Sequence, residues 1–235
     1  MIPKTIHYCW FGKKDLPKEY RGYMKSWPRF MPDYKIMRWD ESNFDVDAYP
    51  FTRKAYSLGK MAFVSDYARL KILYEHGGVY FDIDVELIRP FDDLLNKGGF
   101  MGFEKDSNSP KGNVLNVNIG LGFAVEPYNP LIKEVIDYYD SHVDDEYQTV
   151  VVIVTEILKK HGLKCSDKPI TIEGITIYPW DYFCPIEFMS TRLEITANTC
   201  SIHHYSASWL TWWNRLMLRK GQIVDKVGRF LSRIK

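Results

Sequence analysis

The stretch Lys60-Met61-Ala62-Phe63-Val64-Ser65-Asp66-Tyr67-Ala68-Arg69-Leu70-Lys71-Ile72-Leu73-Tyr74-Glu75-His76-Gly77-Gly78-Val79-Tyr80-Phe81-Asp82-Ile83-Asp84 decides the fold. From Lys60 to His76 apolar side chains recur at helical spacing. Met61, Val64 and Ala68 form one line and Phe63, Tyr67, Leu70 and Tyr74 another, a wide apolar arc that predicts a core helix. Gly77-Gly78 ends it where a left-handed cap is wanted, and Val79 to Ile83 follows at once as a predicted strand. A helix feeding a buried strand through two glycines indicates an α/β layer architecture.

The end of that strand carries the chemistry. On a strand, residues i and i+2 face the same way, so Asp82 and Asp84 are expected to project together while Ile83 enters the core. Two carboxylates this close repel unless a cation lies between them or one takes a proton. Hard divalent ions such as Mg²⁺ and Mn²⁺ prefer oxygen ligands, and such an ion can carry a diphosphate. Spacing alone does not carry this reading, because Asp45-Val46-Asp47 has it too; that second pair reads as a solvated loop or helix start. A charge at the end of a hydrophobic strand, by contrast, is costly without a partner. The plain alternative is a pair of turn-forming or capping aspartates. Asp66 and Arg69 lie three residues apart on the preceding helix, which is apolar around most of its circumference. That setting favours a buried pair, with Asp66 accepting sugar or ribose hydroxyls and Arg69 orienting it or contacting phosphate.

Outward from this centre, Thr5 to Phe11 predicts a buried first strand, Leu16 to Trp27 a helix, Tyr34 to Trp39 a strand and Asp47 to Leu58 a weak helix. Gly99 to Glu104 and Gly120 to Glu126 read as strands, Pro130 to Val143 and Gln148 to His161 as helices. The second of these helices has strand-like chemistry in its run of valines. Ile170 to Ile172 and Ile175 to Tyr178 flank Glu173-Gly174 as a hairpin, and the segment from Ser208 reads as helix in two pieces broken near Gly221.

A chain of 235 residues suits one large domain, and 46% hydrophobic with 26% charged residues is the balance of an ordinary globular protein. The net charge of +1 hides a split: Leu210 to Lys235 holds seven basic residues against Asp225, which leaves the body with 24 basic and 29 acidic residues. Cys9, Cys165, Cys184 and Cys200 are scattered without a CxxC pair, which fits a reduced cytosolic setting. The opening residues show no signal-peptide pattern, and the longest aliphatic run, Val150 to Val154, is too short to span a bilayer.

The run Ser65-Asp66-Tyr67-Ala68-Arg69, with Tyr74 to Asp84, closely resembles the DXD segment of glycosyltransferase family 32. That family includes bacterial capsular-polysaccharide transferases and yeast initiating mannosyltransferases, and is related to the large clostridial glucosylating toxins. Ile2-Pro3-Lys4-Thr5-Ile6-His7 with Trp10-Phe11-Gly12 resembles its N-terminal strand, and His203-His204-Tyr205-Ser206-Ala207-Ser208-Trp209 its C-terminal motif. The resemblance implies a GT-A fold, a single Rossmann-like nucleotide-binding domain with a mixed central sheet over residues 1–209, followed by the tail 210–235. It implies metal-dependent transfer of a sugar, with retention of configuration, from a nucleoside-diphosphate donor (a UDP-sugar favoured) to a glycan acceptor, with Mn²⁺ or Mg²⁺ as cofactor.

By position, the resemblance makes Asp84 a direct metal ligand and Asp82 a ligand of metal or ribose. Asp66 and Arg69 contact donor sugar and phosphate, and Tyr8 or Trp10 lies near the base. Of the two histidines, His204, five residues before Trp209, is the better match for the remaining metal ligand, with His203 the other choice. Ser208 and Trp209 touch the diphosphate. Asn118 sits where such enzymes place polar groups near the transferred sugar; its other reading is a turn residue. No carboxylate nucleophile stands out, which leaves a front-face mechanism assisted by the leaving phosphate.

In the tail, Trp209, Trp212, Trp213, Leu216 and Met217 form an apolar stripe continued by Ile223, Val224, Val227, Phe230, Leu231 and Ile234, with Arg219, Lys220, Lys226, Arg229 and Arg233 around it. Such amphipathic helices lie in membrane interfaces, and packing on protein is the alternative. The expectation is a cytoplasmic enzyme held peripherally at the inner face of the membrane, acting on a lipid-linked acceptor in capsule, exopolysaccharide or surface-glycan synthesis. Rivals are an aspartate-nucleophile phosphatase, whose D-x-D normally sits on the first strand and is followed two places later by Thr or Val, unlike Asp84-Val85-Glu86 here, and a non-catalytic membrane adaptor, which leaves the buried acids unexplained. No nucleic-acid reading motif accompanies the basic tail.

Overall fold

The structure is a computed structural model that describes residues 1–106, 113–143, 146–188, 190 and 192–205. In chain order its elements are β1 (Thr5–Cys9), α1 (Lys18–Met24), α2 (Ser26–Phe30), β2 (Lys35–Trp39), α3 (Pro50–Ser57), α4 (Met61–His76), β3 (Gly78–Tyr80), β4 (Val85–Leu87) and α5 (Asp92–Leu95). There follow β5 (Gly99–Lys105), β6 (Asn113–Val117), β7 (Phe123–Val125), α6 (Pro130–Ser141), α7 (Val150–Lys160), β8 (Ile170–Ile172), β9 (Ile175–Tyr178), α8 (Trp180–Phe183) and β10 (Ser201–His203). The valine run of α7 is helical, because its apolar face packs into the core.

The strands build a mixed sheet in the order β2-β1-β3-β7-β5-β9-β8, with β6 alongside β5. β1 runs parallel to both β2 and β3, β7 is antiparallel to β3 and β5, and β9 is parallel to β5. Alternation along each strand sends side chains into two cores. Cys9, Tyr80 and Phe103 meet α3, α4, α6 and α7 on one face; Ile6, Tyr8, Val79 and Phe100 meet α1, α2, α5 and α8 on the other. The predicted hairpin is β8–β9, and Glu173 and Gly174 both take positive φ (47° and 76°), the turn geometry that suits the twist of paired strands.

Two expectations are corrected here. The strand after α4 ends at Tyr80, not Ile83, so Asp82-Ile83-Asp84 occupies a turn closed by Val85 N–H donating to the Asp82 carbonyl (3.0 Å). The two carboxylates are therefore brought together by the turn, not by strand alternation, although Ile83 does enter the core. Likewise the strand expected from Gly120 to Glu126 is confined to β7, because 118–121 turns: Leu121 N–H donates to the Asn118 carbonyl at 3.3 Å. Gly77 and Gly78 do hold positive φ, 61° and 103°, and the close approach of Thr5 O and His7 to Gly78 leaves no room there for a side chain.

A second, two-stranded sheet pairs β10 antiparallel with β4, the strand that leaves the D-x-D turn. Helix α2 braces β4 from below: Trp27 Nε1–H donates to the Val85 carbonyl (2.9 Å) and Leu87 N–H to Ser26 Oγ (2.8 Å). No helix among the described residues is long and apolar enough to cross a membrane. The tail from residue 206 onward lies outside the described residues, and with it the expected two helical pieces and the expected 209/210 boundary.

Candidate active site

A cleft of about 560 Å³ opens where the chain leaves the carboxyl ends of β1 and β3, the usual position for a ligand crevice in α/β sheets. Cys9 to Gly12 form one wall, Lys60 to Phe63 at the start of α4 another, and Asp82, Asp84, His203 and Tyr205 a third, with Arg69 and Tyr80 at the base. The loop after β1 is fixed by Gly12 N–H donating to Glu41 (2.7 Å) and by Trp10 Nε1–H donating to the Lys14 carbonyl (2.6 Å).

Arg69 is the electrostatic hub. Its side chain, 6% exposed, reaches Asp66 at 2.9 Å and Asp82 at 3.2 Å, and its guanidinium lies 4.8 Å from the centre of the Tyr80 ring. Burial would pull such a cation towards neutrality, but Asp82, Tyr80 and Asp66 outweigh it and hold Arg69 well above its ordinary pKa. Asp66 feels the opposite balance: burial pushes its carboxyl up to about 6, against the pull of Arg69. Asp66 stands behind Arg69, not on the cleft wall, so in this geometry it aims the guanidinium. Tyr80 donates its hydroxyl to Asp82 Oδ1 at 3.1 Å.

Asp84 faces His203, whose Nε2 lies 3.3 Å from Asp84 Oδ1 and 3.9 Å from Asp82 Oδ2. The three side chains offer ligand atoms within 4.8 Å of one another, two carboxylate oxygens and one imidazole nitrogen. That donor set fits a divalent cation of the Mn²⁺ kind, since oxygen ligands satisfy it and imidazole is tolerated. Burial works to keep the His203 ring neutral, yet Asp84 and Asp82 prevail and raise its pKa to about 10. Its buried Nδ1 has no hydrogen-bond partner among the described residues.

Of the adjacent histidines it is thus His203 that meets the acidic pair. His204, favoured by the resemblance, turns away: successive residues at a strand end point to opposite sides. Its ring stacks on Tyr23 at 4.0 Å and its Nε2 lies 2.9 Å from Glu86, while its N–H donates to the Asp84 carbonyl at 3.0 Å. Of the two aromatics expected near a base, Trp10 lines the cleft, whereas Tyr8 points to the other face of the sheet and packs edge-on against Trp27 at 5.7 Å. Asn118 is buried beside Gly120, at which a Cβ would overlap an Asp82 oxygen. Ser208 and Trp209 lie outside the described residues.

Tyr80, Tyr205 and Glu104 were not singled out from sequence. Tyr80 had a legible signal, being a tyrosine two places before a carboxylate on a buried strand, where its hydroxyl needs a partner.

Residues 17–100 match the family described as glycosyltransferase sugar-binding region containing DXD motif. Inositol phosphoceramide mannosyltransferase 3 of Schizosaccharomyces pombe is 31% identical over 155 residues, covering 63% of this chain and 42% of that protein. The initiation-specific alpha-1,6-mannosyltransferase of Candida albicans is 30% identical over 130 residues, covering 46% of this chain and 34% of that protein. The matched regions thus span less than half the length of either relative. Among solved structures, the PaToxG glycosyltransferase aligns with a TM-score of 0.54 at 19% identity, over 68% of this chain and 69% of that one, a likeness of fold. The fold is of the GT-A class, and residues 17–100 are similar to the DXD-containing sugar-binding region of glycosyltransferases. Within that class the chain is similar to glycosyltransferase family 32.

Proposed function

We propose that this chain transfers a sugar, with retention of configuration, from a nucleoside-diphosphate donor to a glycan acceptor, and that Asp82, Asp84 and His203 hold the divalent cation this requires. The observation that carries the reading is the convergence of two carboxylates and an imidazole beside a buried arginine, in one cleft at the carboxyl ends of parallel strands. A bound Mn²⁺ or Mg²⁺ would neutralise the diphosphate as negative charge builds on it. Arg69, fixed by Asp66 and Tyr80, presents a permanent positive charge to the same group without reorganising. Asp82 is already engaged by Arg69 and Tyr80, which suits it to share its second oxygen between cation and ribose, while Asp84 turns to the ligand side. Trp10 offers the base a flat surface from the far wall.

For the nucleotide, uridine diphosphate is the first choice; mannose in the names of both yeast relatives makes guanosine diphosphate the second. The acceptor is a lipid-linked glycan of capsule, exopolysaccharide or surface-glycan synthesis, and the basic amphipathic stripe of residues 210–235 supports attachment at the inner face of a membrane. Co-sedimentation with anionic liposomes tests the last point, since equal binding by full-length and tail-truncated protein removes it. The central test is thermal: UDP or GDP should raise the melting temperature only when Mn²⁺ or Mg²⁺ is present, because binding is selective for the native state. Stabilisation by neither nucleotide with either metal would refute the reading. Hydrolysis of a panel of sugar nucleotides then selects the donor.

A further inference from the structure

Beside the acidic pair lies a second polar cluster to which the function above gives no task. Its centre is Glu104, the only partly exposed residue of the otherwise buried strand β5. Its Oε1 accepts hydrogen bonds from Asn118 Nδ2 (2.8 Å) and from the Tyr205 hydroxyl (3.3 Å), and its Oε2 accepts one from Asn116 Nδ2 (3.4 Å). Among the described residues no basic side chain forms an ion pair with it. The neighbouring Lys105 turns to the opposite face and pairs with Glu194 at 2.6 Å. A carboxylate surrounded by three neutral donors fixes where those donors point.

For Asn118 the constraint is complete at both ends of the amide. Nδ2 is committed to Glu104, and Oδ1 accepts the Gly120 N–H at 2.7 Å, so exchanging the two atoms would set like against like at both contacts. The 118–120 turn is in turn fastened to the metal-facing segment. Asp82 N–H donates to the Gly120 carbonyl at 3.4 Å, and only a hydrogen fits at Gly120 against the Asp82 carboxylate. Tyr205 is held as firmly. Its φ of 47° lies in the left-handed region, a strained position for a bulky residue that persists only where surroundings enforce it. Here the enforcement is visible: the ring meets His203 edge-on at 4.3 Å and Phe188 at 5.3 Å, and the hydroxyl sits between Glu104 and Cys184 Sγ (3.1 Å).

We propose that Glu104 is a positioning residue for sugar transfer, holding the Tyr205 hydroxyl at the cleft wall and the Asn118 amide in the buried turn that backs Asp82. It acts through those two groups and does not touch the substrate. The inference rests on the donor reading above, and adds the residue that orders its sugar-facing side.

Glu104→Met keeps the volume and removes both oxygens, while Glu104→Gln keeps an oxygen for Asn118. Binding is read with UDP and with GDP, each with Mn²⁺, and turnover as hydrolysis of UDP-glucose or GDP-mannose, whichever the wild type accepts. The expected result for Glu104→Met is a kcat loss on the order of a hundredfold, the scale of a displaced reacting group, with nucleotide Kd and donor KM within about twofold of wild type. Glu104→Gln should restore kcat to within about threefold. In an Asn118→Ala background, Glu104→Met should cost far less than in the wild type, since the two act along one line. Should Glu104→Met melt below the assay temperature, Glu104→Asp, whose carboxylate is drawn back by one methylene, carries the same test. Unchanged kcat, a kcat loss matched by lost nucleotide affinity, or full additivity with Asn118→Ala would each overturn the proposal. A wild type that binds neither nucleotide with Mn²⁺ instead fails the donor reading, before any variant is made.

Discussion

The chain contains two Asp-aliphatic-Asp segments, Asp45-Val46-Asp47 and Asp82-Ile83-Asp84, and in both the middle residue is buried, at 9% and 8% exposure. Both therefore throw two carboxylates to one side of an anchored side chain. At 45–47 the carboxylates meet water and their own backbone: both aspartates are exposed, and Asp45 Oδ1 accepts the Asp47 N–H at 2.9 Å, an ordinary Asx turn. At 82–84 they meet Arg69 from α4, Tyr80 from β3 and His203 from β10, three groups from three elements. The first pair closes a turn. The second lines the cleft because distant segments converge on it, and spacing by itself carries no such information.

The largest expected break in this comparison is Asp84→Asn, which should lower transfer by about 10³-fold or more, with loss of metal-dependent stabilisation by nucleotide in a protein that still melts cooperatively. Wild-type turnover by this variant removes Asp84 from the mechanism. Next comes His203→Ala, for which Mn²⁺ affinity by calorimetry should drop about a hundredfold. His204→Ala, acting only through the orientation of its neighbour, should drop it about tenfold. The reverse ranking would restore His204 as the ligand.

The same imidazole gives a pH signature. Its folded pKa, about 10 in the metal-free protein, stands above the unfolded 6.5. Its contribution to metal-free stability is therefore full below pH 6.5 and disappears as pH rises through about 10. A cation requires the neutral ring, so binding should release a proton across that window, and Mn²⁺ affinity should climb by up to about tenfold per pH unit from pH 6.5 upward. Calorimetry at pH 7.5 in two buffers of different ionisation heat measures the proton directly, and no release would contradict the assignment. Gly120→Ala forces a methyl against Asp82 and should reduce kcat by about tenfold or more. The smallest effect belongs to Asp45→Asn, within about 0.5 kcal/mol in stability and twofold in rate; a large loss there would mean the two segments had been assigned in reverse.

What could be read from the chain beforehand follows the range of the forces involved. Helix α4, its glycine stop and the β8–β9 hairpin rest on local periodicity and turn chemistry, and all are present as expected. The burial of the Asp66–Arg69 pair was legible because the helix around it is apolar. The short strands β4 and β10, of three residues each, left no periodic trace, and their existence depends on pairing with each other across more than a hundred residues. For that reason the choice between His203 and His204 was out of reach: it is made by the register of β10 on β4, with His203 opposite Val85. Glu104 was hidden similarly, as one of two charged residues at the end of an otherwise apolar strand, with its donors arriving from Asn116, Asn118 and Tyr205.

The pairing of β10 with β4 has a consequence for assembly. A nascent chain that has emerged only as far as residue 200 already holds every strand of the large sheet, and both carboxylates, but not the imidazole. Cation capture at the proposed site therefore has to wait until a segment well over a hundred residues downstream has docked on the first half. Such a long closure is slow to form. Uptake of Mn²⁺ during refolding should thus keep time with the docking of β10 on β4, later than the appearance of the sheet itself.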